Sequence, residues 1–263
     1  NYVRRRQLPT SVPLELDTPA GVQHALDALV KNDVVTCFAE GPEAVYAVGA
    51  DQHLVAAYYR NTIIHFFVNG AIAELALLRA SEEGAETFWD EAMGLRDLLK
   101  FEFFFAEKDE FRAELRAEIG LHDPEWEERL AGGSGDIMAL LHRFRPFSAP
   151  RVLRPFLEAY RVVADVLERR DPAASVADNE LLAACLALGK QYELQRRILS
   201  AESVSKALFS NGLALAKNRG LLATGPTDLA ERRRAFAAEV RDAIRRVDAM
   251  SALVAARHAG LIG

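Results

Sequence analysis

A chain of 263 residues is long enough for one large or two ordinary domains with a substantial core. With 50% apolar and 27% charged residues it has a globular composition, and its formal charge of −6 excludes the general basic excess that nucleic-acid binding needs. Its two cysteines, Cys37 and Cys185, are too few for a disulfide framework or a zinc site and fit a reducing cytoplasmic setting.

Residues 1–17 carry Arg4, Arg5 and Arg6 and then Pro9 and Pro13, which predicts an extended linker or arm. Thr18-Pro19 predicts a helix start, with threonine as cap and proline at the first helical position, and the helix runs to Lys31. VVTCFA and AVYAVG, separated by Glu40, Gly41, Pro42 and Glu43, predict the two short strands of a hairpin.

The next stretch, 51–79, is the longest nearly unbroken apolar run and contains no proline. It predicts one helix capped by Asp51, spanning about 42 Å at 1.5 Å per residue. Tyr58, Asn61, His65 and Asn69 recur at three, four and four residues, so on one helix they share a narrow polar stripe. Such a helix is expected to be buried almost all round, the stripe supplying hydrogen bonds or a docking seam.

Further helices are predicted over 86–105, with an aromatic cluster at Phe101, Phe103, Phe104 and Phe105, and over 109–119. An irregular stretch with Pro124 and Gly132-Gly133-Ser134-Gly135 follows, and then helices over 152–169, 178–198, 204–218 and 228–256. Gly189 weakens the middle of the 178–198 helix. The fold class is mainly α: a helical domain over 18–263 with one or two small β-hairpins, a subdivision near 145–150 left open. The recurrence of helix, turn region and helix suggests repeated winged-helix-like units around the long buried helix.

Three stretches carry a family resemblance. YYRNTIIHFFV (58–68) resembles the YYRN-containing segment in the C-terminal part of bacterial membrane-bound glycerol-3-phosphate 1-O-acyltransferases. LLKFEFFFAEKDEF (98–111) is similar to the hydrophobic-then-charged block that follows in that family, and KALFSNGLALAKNRGLL (206–222) to its closing helix. The order is the family's, across roughly 15–250. The resemblance implies that the parent enzyme moves an acyl group from acyl-CoA or acyl carrier protein to position 1 of glycerol 3-phosphate in phospholipid synthesis, without a further cofactor. It also implies a site on the cytoplasmic face of the bacterial membrane. This segment, which begins with Asn1 rather than Met, is then expected to be a supporting C-terminal piece whose partner is an upstream acyltransferase domain.

Acyl transfer to an alcohol needs a base to remove the hydroxyl proton, and the family uses a His followed five positions later by Asp. Five positions after His24, His53, His65, His122, His142 and His258 stand Leu29, Tyr58, Gly70, Glu127, Phe147 and Gly263. No catalytic residue is therefore expected in this segment. Tyr58, Asn61, His65 and Asn69 are the structural or domain-docking candidates, and no metal-ligand spacing, phosphate loop or nucleophile elbow accompanies them.

Two other classes compete. A winged-helix regulatory or nucleic-acid-binding module would read DNA with the helix before the first hairpin, but PAGVQHALDALVKND carries one lysine against two aspartates. A free-standing membrane-surface module would use the 101–105 aromatics or the helix bearing Arg232, Arg233, Arg234, Arg241, Arg245 and Arg246. For those arginines a solvated face, with Glu231, Glu239 and Asp242 as partners, is the expected arrangement.

Overall fold

The computed structural model describes residues 18–49, 51–174, 177–225 and 227–258, so the arm expected at 1–17 lies outside the described residues. They form twelve α-helices and one two-stranded antiparallel sheet, the mainly helical class expected. The chain divides into two units, residues 1–64 and 65–263.

The first unit is helix, hairpin, helix. Helix α1 (Pro19–Lys31) starts where Thr18 Oγ1 accepts the Gly21 N–H at 3.0 Å. Asp33, at φ 57°, turns the chain toward β1 (Thr36–Phe38), which pairs with β2 (Val45–Ala47) in the register Thr36↔Ala47, Cys37↔Tyr46 and Phe38↔Val45. Gln52 closes the hairpin base: its Oε1 accepts from the Gly49 N–H at 2.9 Å and the Thr36 hydroxyl at 3.2 Å, and its amide donates to Asp33 at 3.0 Å. Helix α2 (His53–Ile63) follows with Gln52, rather than Asp51, at its N-cap position.

The single helix expected over 51–79 is not present. The run holds two helices, α2 and α3 (His65–Glu83), separated at Ile64. The break follows three consecutive β-branched residues, Thr62, Ile63 and Ile64, whose side chains crowd the preceding turn. The Thr62 hydroxyl also donates to the Tyr59 carbonyl at 2.7 Å, a local bond that competes with the helical ladder.

In the second unit α3 is buried at every position from Gly70 to Leu78, so burial all round holds for the second half of the predicted helix. Around it come α4 (Thr87–Leu99), α5 (Lys108–Gly120), α6 (Trp126–Ala131), α7 (Ser134–His142) and α8 (Ala149–Val152). The stretch read as irregular is thus largely helical. Gly133, at φ 99°, supplies the turn from which α7 starts, and its carbonyl accepts the Ile137 N–H at 3.0 Å. Ser134, expected within that irregular stretch, is the first residue of α7 and donates to the Ser81 carbonyl at 2.7 Å.

Helix α9 (Arg154–Glu168) is the second centre, buried along nearly its whole length and packed by α10 (Asp178–Leu194), α11 (Lys206–Asn218) and α12 (Leu229–His258). Gly189 has a packing reason. A Cβ there would lie 2.8 Å from Phe209 Cζ, so the glycine admits the α11 ring against α10. The expected second and third winged-helix-like repeats are absent among the described residues: β1–β2 is the one sheet, and the later passes contain helices alone. Glycine-rich turns followed by amphipathic runs imitate the hairpin pattern in sequence without supplying the β-branched pairs that hold strands together.

Candidate functional site

The nominated stripe is divided by the break at Ile64. Tyr58, 70% exposed, and Asn61 lie on α2, which buries no residue; Asn61 Oδ1 accepts from Arg60 Nε and Nη2 at 3.3 and 2.9 Å. His65 is exposed on α3, its ring centroid 4.0 Å from that of Phe66, and half-buried Asn69 donates to Glu114 Oε2 at 3.2 Å. The expectation that the stripe satisfies buried groups inside one helix is corrected: the four side chains are exposed or half-buried and are split between α2 and α3.

The histidines show no base-and-carboxylate pair open to a substrate among the described residues. Asp27, three residues after His24, accepts instead from Gln23 Nε2 at 2.8 Å. His122 does meet a carboxylate, Glu118 at 3.6 Å, a contact that the i, i+4 spacing foretells. Its Nδ1 lies 3.3 Å from the Arg143 carbonyl and its ring stacks on Phe144 with centroids 4.1 Å apart, so both nitrogens face internal partners. No group of three or more His, Cys, Asp or Glu able to hold a metal occurs among the described residues.

A buried polar stripe does exist, on α9. Arg154, Glu158, Arg161 and Asp165 follow one another at four, three and four residues and so share a face. Glu158, 1% exposed, accepts from the Leu199 and Ser200 N–H groups and the Ser203 hydroxyl, each at 3.0 Å, and holds the segment between α10 and α11. Asp165 accepts from the Tyr192 hydroxyl at 2.7 Å and from Arg241 at 2.9 Å. Arg154 donates to Asp248 at 2.7 Å and to the Ser251 hydroxyl at 2.9 Å. One helix face thereby ties α10, the 199–203 segment and α12 together, with the buried charges Arg154, Glu158 and Asp165 each hydrogen-bonded.

Two further buried carboxylates act in the same way. Glu74 on α3 accepts the Ser148 N–H at 2.8 Å, the Ser148 hydroxyl at 2.8 Å and the Ala149 N–H at 2.8 Å, capping α8. Burial pushes its pKa up to about 7, against those hydrogen bonds, which favour the ionised form. Glu91 on α4 sits between Arg79 at 2.8 Å and Arg246 at 2.7 Å. The α12 arginines are consequently not the solvated row expected. Arg233 and Arg246 are buried, Arg241 grips Asp165 and Glu168, and Arg245 reaches Glu82 at 3.1 Å, while Asp242 partners Arg245 and Arg246 as expected. Glu239 instead pairs with Arg219 on the preceding turn.

Among the described residues no single helix is long and apolar enough to cross a membrane. Of the aromatic cluster, Phe103 packs on Phe156 and Phe105 on Phe111, with centroids 4.9 and 5.5 Å apart, while Phe104 stands fully exposed.

These features describe a scaffold, and sequence comparison decides its kind. A family described as the glycerol-3-phosphate acyltransferase C-terminal region matches residues 1–225. The chain belongs to that family. It is also 41% identical over 260 residues to proteins of Mycobacterium bovis and of two Mycobacterium tuberculosis strains, each named "Putative acyltransferase plsB1". That alignment covers 96% of this chain but 42% of those relatives. No solved structure matches the chain. The glycerol-3-phosphate acyltransferase C-terminal match stops before α12, yet the buried stripe of α9 depends on Asp248, Ser251 and Arg241 from that helix.

Proposed function

We propose that this chain is the supporting, non-catalytic part of a glycerol-3-phosphate acyltransferase. The complete enzyme transfers an acyl group from acyl-CoA or acyl carrier protein to position 1 of glycerol 3-phosphate, in phospholipid synthesis at the cytoplasmic face of the membrane. Family membership supports the reaction, and the family's description as a C-terminal region supports placing the chemistry upstream.

The observation that carries the supporting role is the first unit's surface. Leu54 and Tyr58 on α2 are 68% and 70% exposed, Phe38 and Val45 on the hairpin are 58% exposed, and α1 and α2 bury no residue. So little internal core leaves apolar area for a partner to cover. The relatives' remaining length, more than half of each, supplies that partner. Tyr58 and Asn61 then belong to the docking face, with Asn61 at its polar edge.

The test is acyl transfer from labelled palmitoyl-CoA to glycerol 3-phosphate by the longer parent protein and by this chain alone. Activity confined to the parent, and lowered about tenfold or more by Leu54→Glu with Tyr58→Ala as the milder change, is expected for a docking face whose central anchors cost roughly 1–3 kcal/mol when lost. Activity in the chain alone overturns the reading, as does a parent protein indifferent to both substitutions.

A further inference from the structure

Three guanidiniums gather around the ring of Tyr192, a residue of α10 that is itself 1% exposed. Arg169 Nη2 donates to the Tyr192 hydroxyl at 3.0 Å, and the guanidinium carbons of Arg197 and Arg161 lie 4.0 and 5.7 Å from the ring centroid. One buried ring thus brings together two arginines of α9 and one from the turn that ends α10.

The acids beside them are already engaged. Asp165 accepts from the Tyr192 hydroxyl at 2.7 Å and from Arg241 at 2.9 Å, and Glu168 takes both terminal nitrogens of Arg241 at 2.8 and 3.0 Å. Among the described residues the one carboxylate near the three arginines as an ion pair is Asp165, 3.8 Å from Arg161 Nε, and that nitrogen is buried without a hydrogen-bond partner. Four arginines therefore stand beside two carboxylates, an excess of two positive charges on a chain whose formal charge is −6.

The frame is fixed from behind. Arg196, at φ 55°, reverses the chain after α10 at a position where glycine is the usual residue, and the Arg197 N–H then donates to the Tyr192 carbonyl at 2.8 Å. Buried Glu158 holds the next two N–H groups, of Leu199 and Ser200, at 3.0 Å each. Arg161 and Arg169 project from the buried helix α9. A guanidinium stacked on an aromatic ring spends its face there and keeps its N–H edge for an acceptor, and Arg169 and Arg197 are exposed to solvent.

We infer that the arginines around Tyr192 form a binding site for a tetrahedral oxyanion of the phosphate or sulfate type. Like charges held together repel one another, and a dianion among them removes that repulsion while accepting the paired N–H bonds that guanidiniums offer. The site is independent of the acyl-transfer reading above, because it requires no chemistry and its readout is binding.

The probe is inorganic phosphate, titrated calorimetrically into the 263-residue chain at low ionic strength, with sodium chloride of matched ionic strength as the blank. The expected result is saturable binding of one ion per chain, with sulfate competing for it. Arg197→Ala, at an exposed position, lowers affinity by about tenfold, Arg197→Glu lowers it further, and Arg161→Gln combined with Arg169→Gln lowers it by about a hundredfold. Arg151→Ala, at an exposed position on α8, leaves it within about twofold. If the double variant unfolds, the two Arg197 variants carry the test. Phosphatidylglycerol vesicles that displace the phosphate identify a lipid headgroup as the source of the oxyanion, and vesicles without effect identify a free ion; both keep the site. No saturable binding overturns the inference. So does binding that Arg197→Glu leaves intact, or that Arg151→Ala weakens equally, which is a response to net charge alone.

Discussion

Glu74 Oε2 accepts the Ala149 N–H at 2.8 Å, joining two residues 75 positions apart in the chain. With Ser148 donating from both its N–H and its hydroxyl, the carboxyl group of one core helix caps the start of α8. Stability thereby becomes linked to pH. Burial holds the Glu74 proton to about pH 7, whereas the unfolded chain releases it near the ordinary value of 4.5. Between those values the folded state binds more protons, so this group's contribution is full below 4.5 and declines by up to about 3 kcal/mol as pH rises through 7. Melting temperatures measured from pH 4.5 to 8 should show that decline, and Glu74→Gln should flatten it. An unchanged slope in the variant would assign the pH dependence to other groups.

The Glu91–Arg246 pair, at 2.7 Å with both side chains buried, predicts asymmetric mutational costs. Arg246→Leu leaves Glu91 with Arg79 alone and should destabilise the chain by about 3 kcal/mol in urea unfolding. Replacing both partners, Glu91→Leu with Arg246→Leu, removes the uncompensated charge and should restore more than half of that loss. Purely additive costs would contradict this account.

Two glycines in helices should respond oppositely to alanine. A Cβ at Gly212 would meet Val163 Cγ2 at 3.0 Å and the Tyr160 ring at 3.1 Å, both in the core, so Gly212→Ala should cost about 1–3 kcal/mol. Nothing lies within 4 Å of a Cβ at Gly94 on α4, so Gly94→Ala should gain about 0.5–1 kcal/mol from helix propensity alone. Paired thermal melts read both signs at once.

The α9 stripe predicts that Glu158→Ala acts at a distance in sequence. Leu199, Ser200 and Ser203 lose their shared acceptor, and the buried Ser203 hydroxyl is left unsatisfied. Hydrogen exchange should speed first across 199–203, before any change in α1 or the hairpin. Uniform acceleration over the whole chain would point to global loss of stability instead.

Residues with local causes were legible. Thr18-Pro19 set the start of α1, and the β-branched runs around Glu40–Glu43's turn set the hairpin, because caps and short pairings are decided within a few residues. Phe111, Leu115 and Ile119 repeat every four residues and are all buried. The break at Ile64 was missed because an apolar run without proline gives no sign of where a helix stops, although Thr62-Ile63-Ile64 carried the available hint. The polar stripe that the structure buries lies on α9. Arg154, Glu158, Arg161 and Asp165 show nearly the same spacing as Tyr58, Asn61, His65 and Asn69, but charged side chains on a periodic face read as solvent-exposed until their partners are known.

By itself, the sequence determined the helical class, the hairpin, the family resemblance and the absence of a His-Asp pair at the family's spacing, since each depends on residue type and short spacing. Only the tertiary structure decided which charges are interior. Glu91 meets Arg246 across 155 residues, and Glu74 meets Ala149 across 75. The cost of burying a charge is set by the groups that surround it, and those groups come together only when distant helices pack.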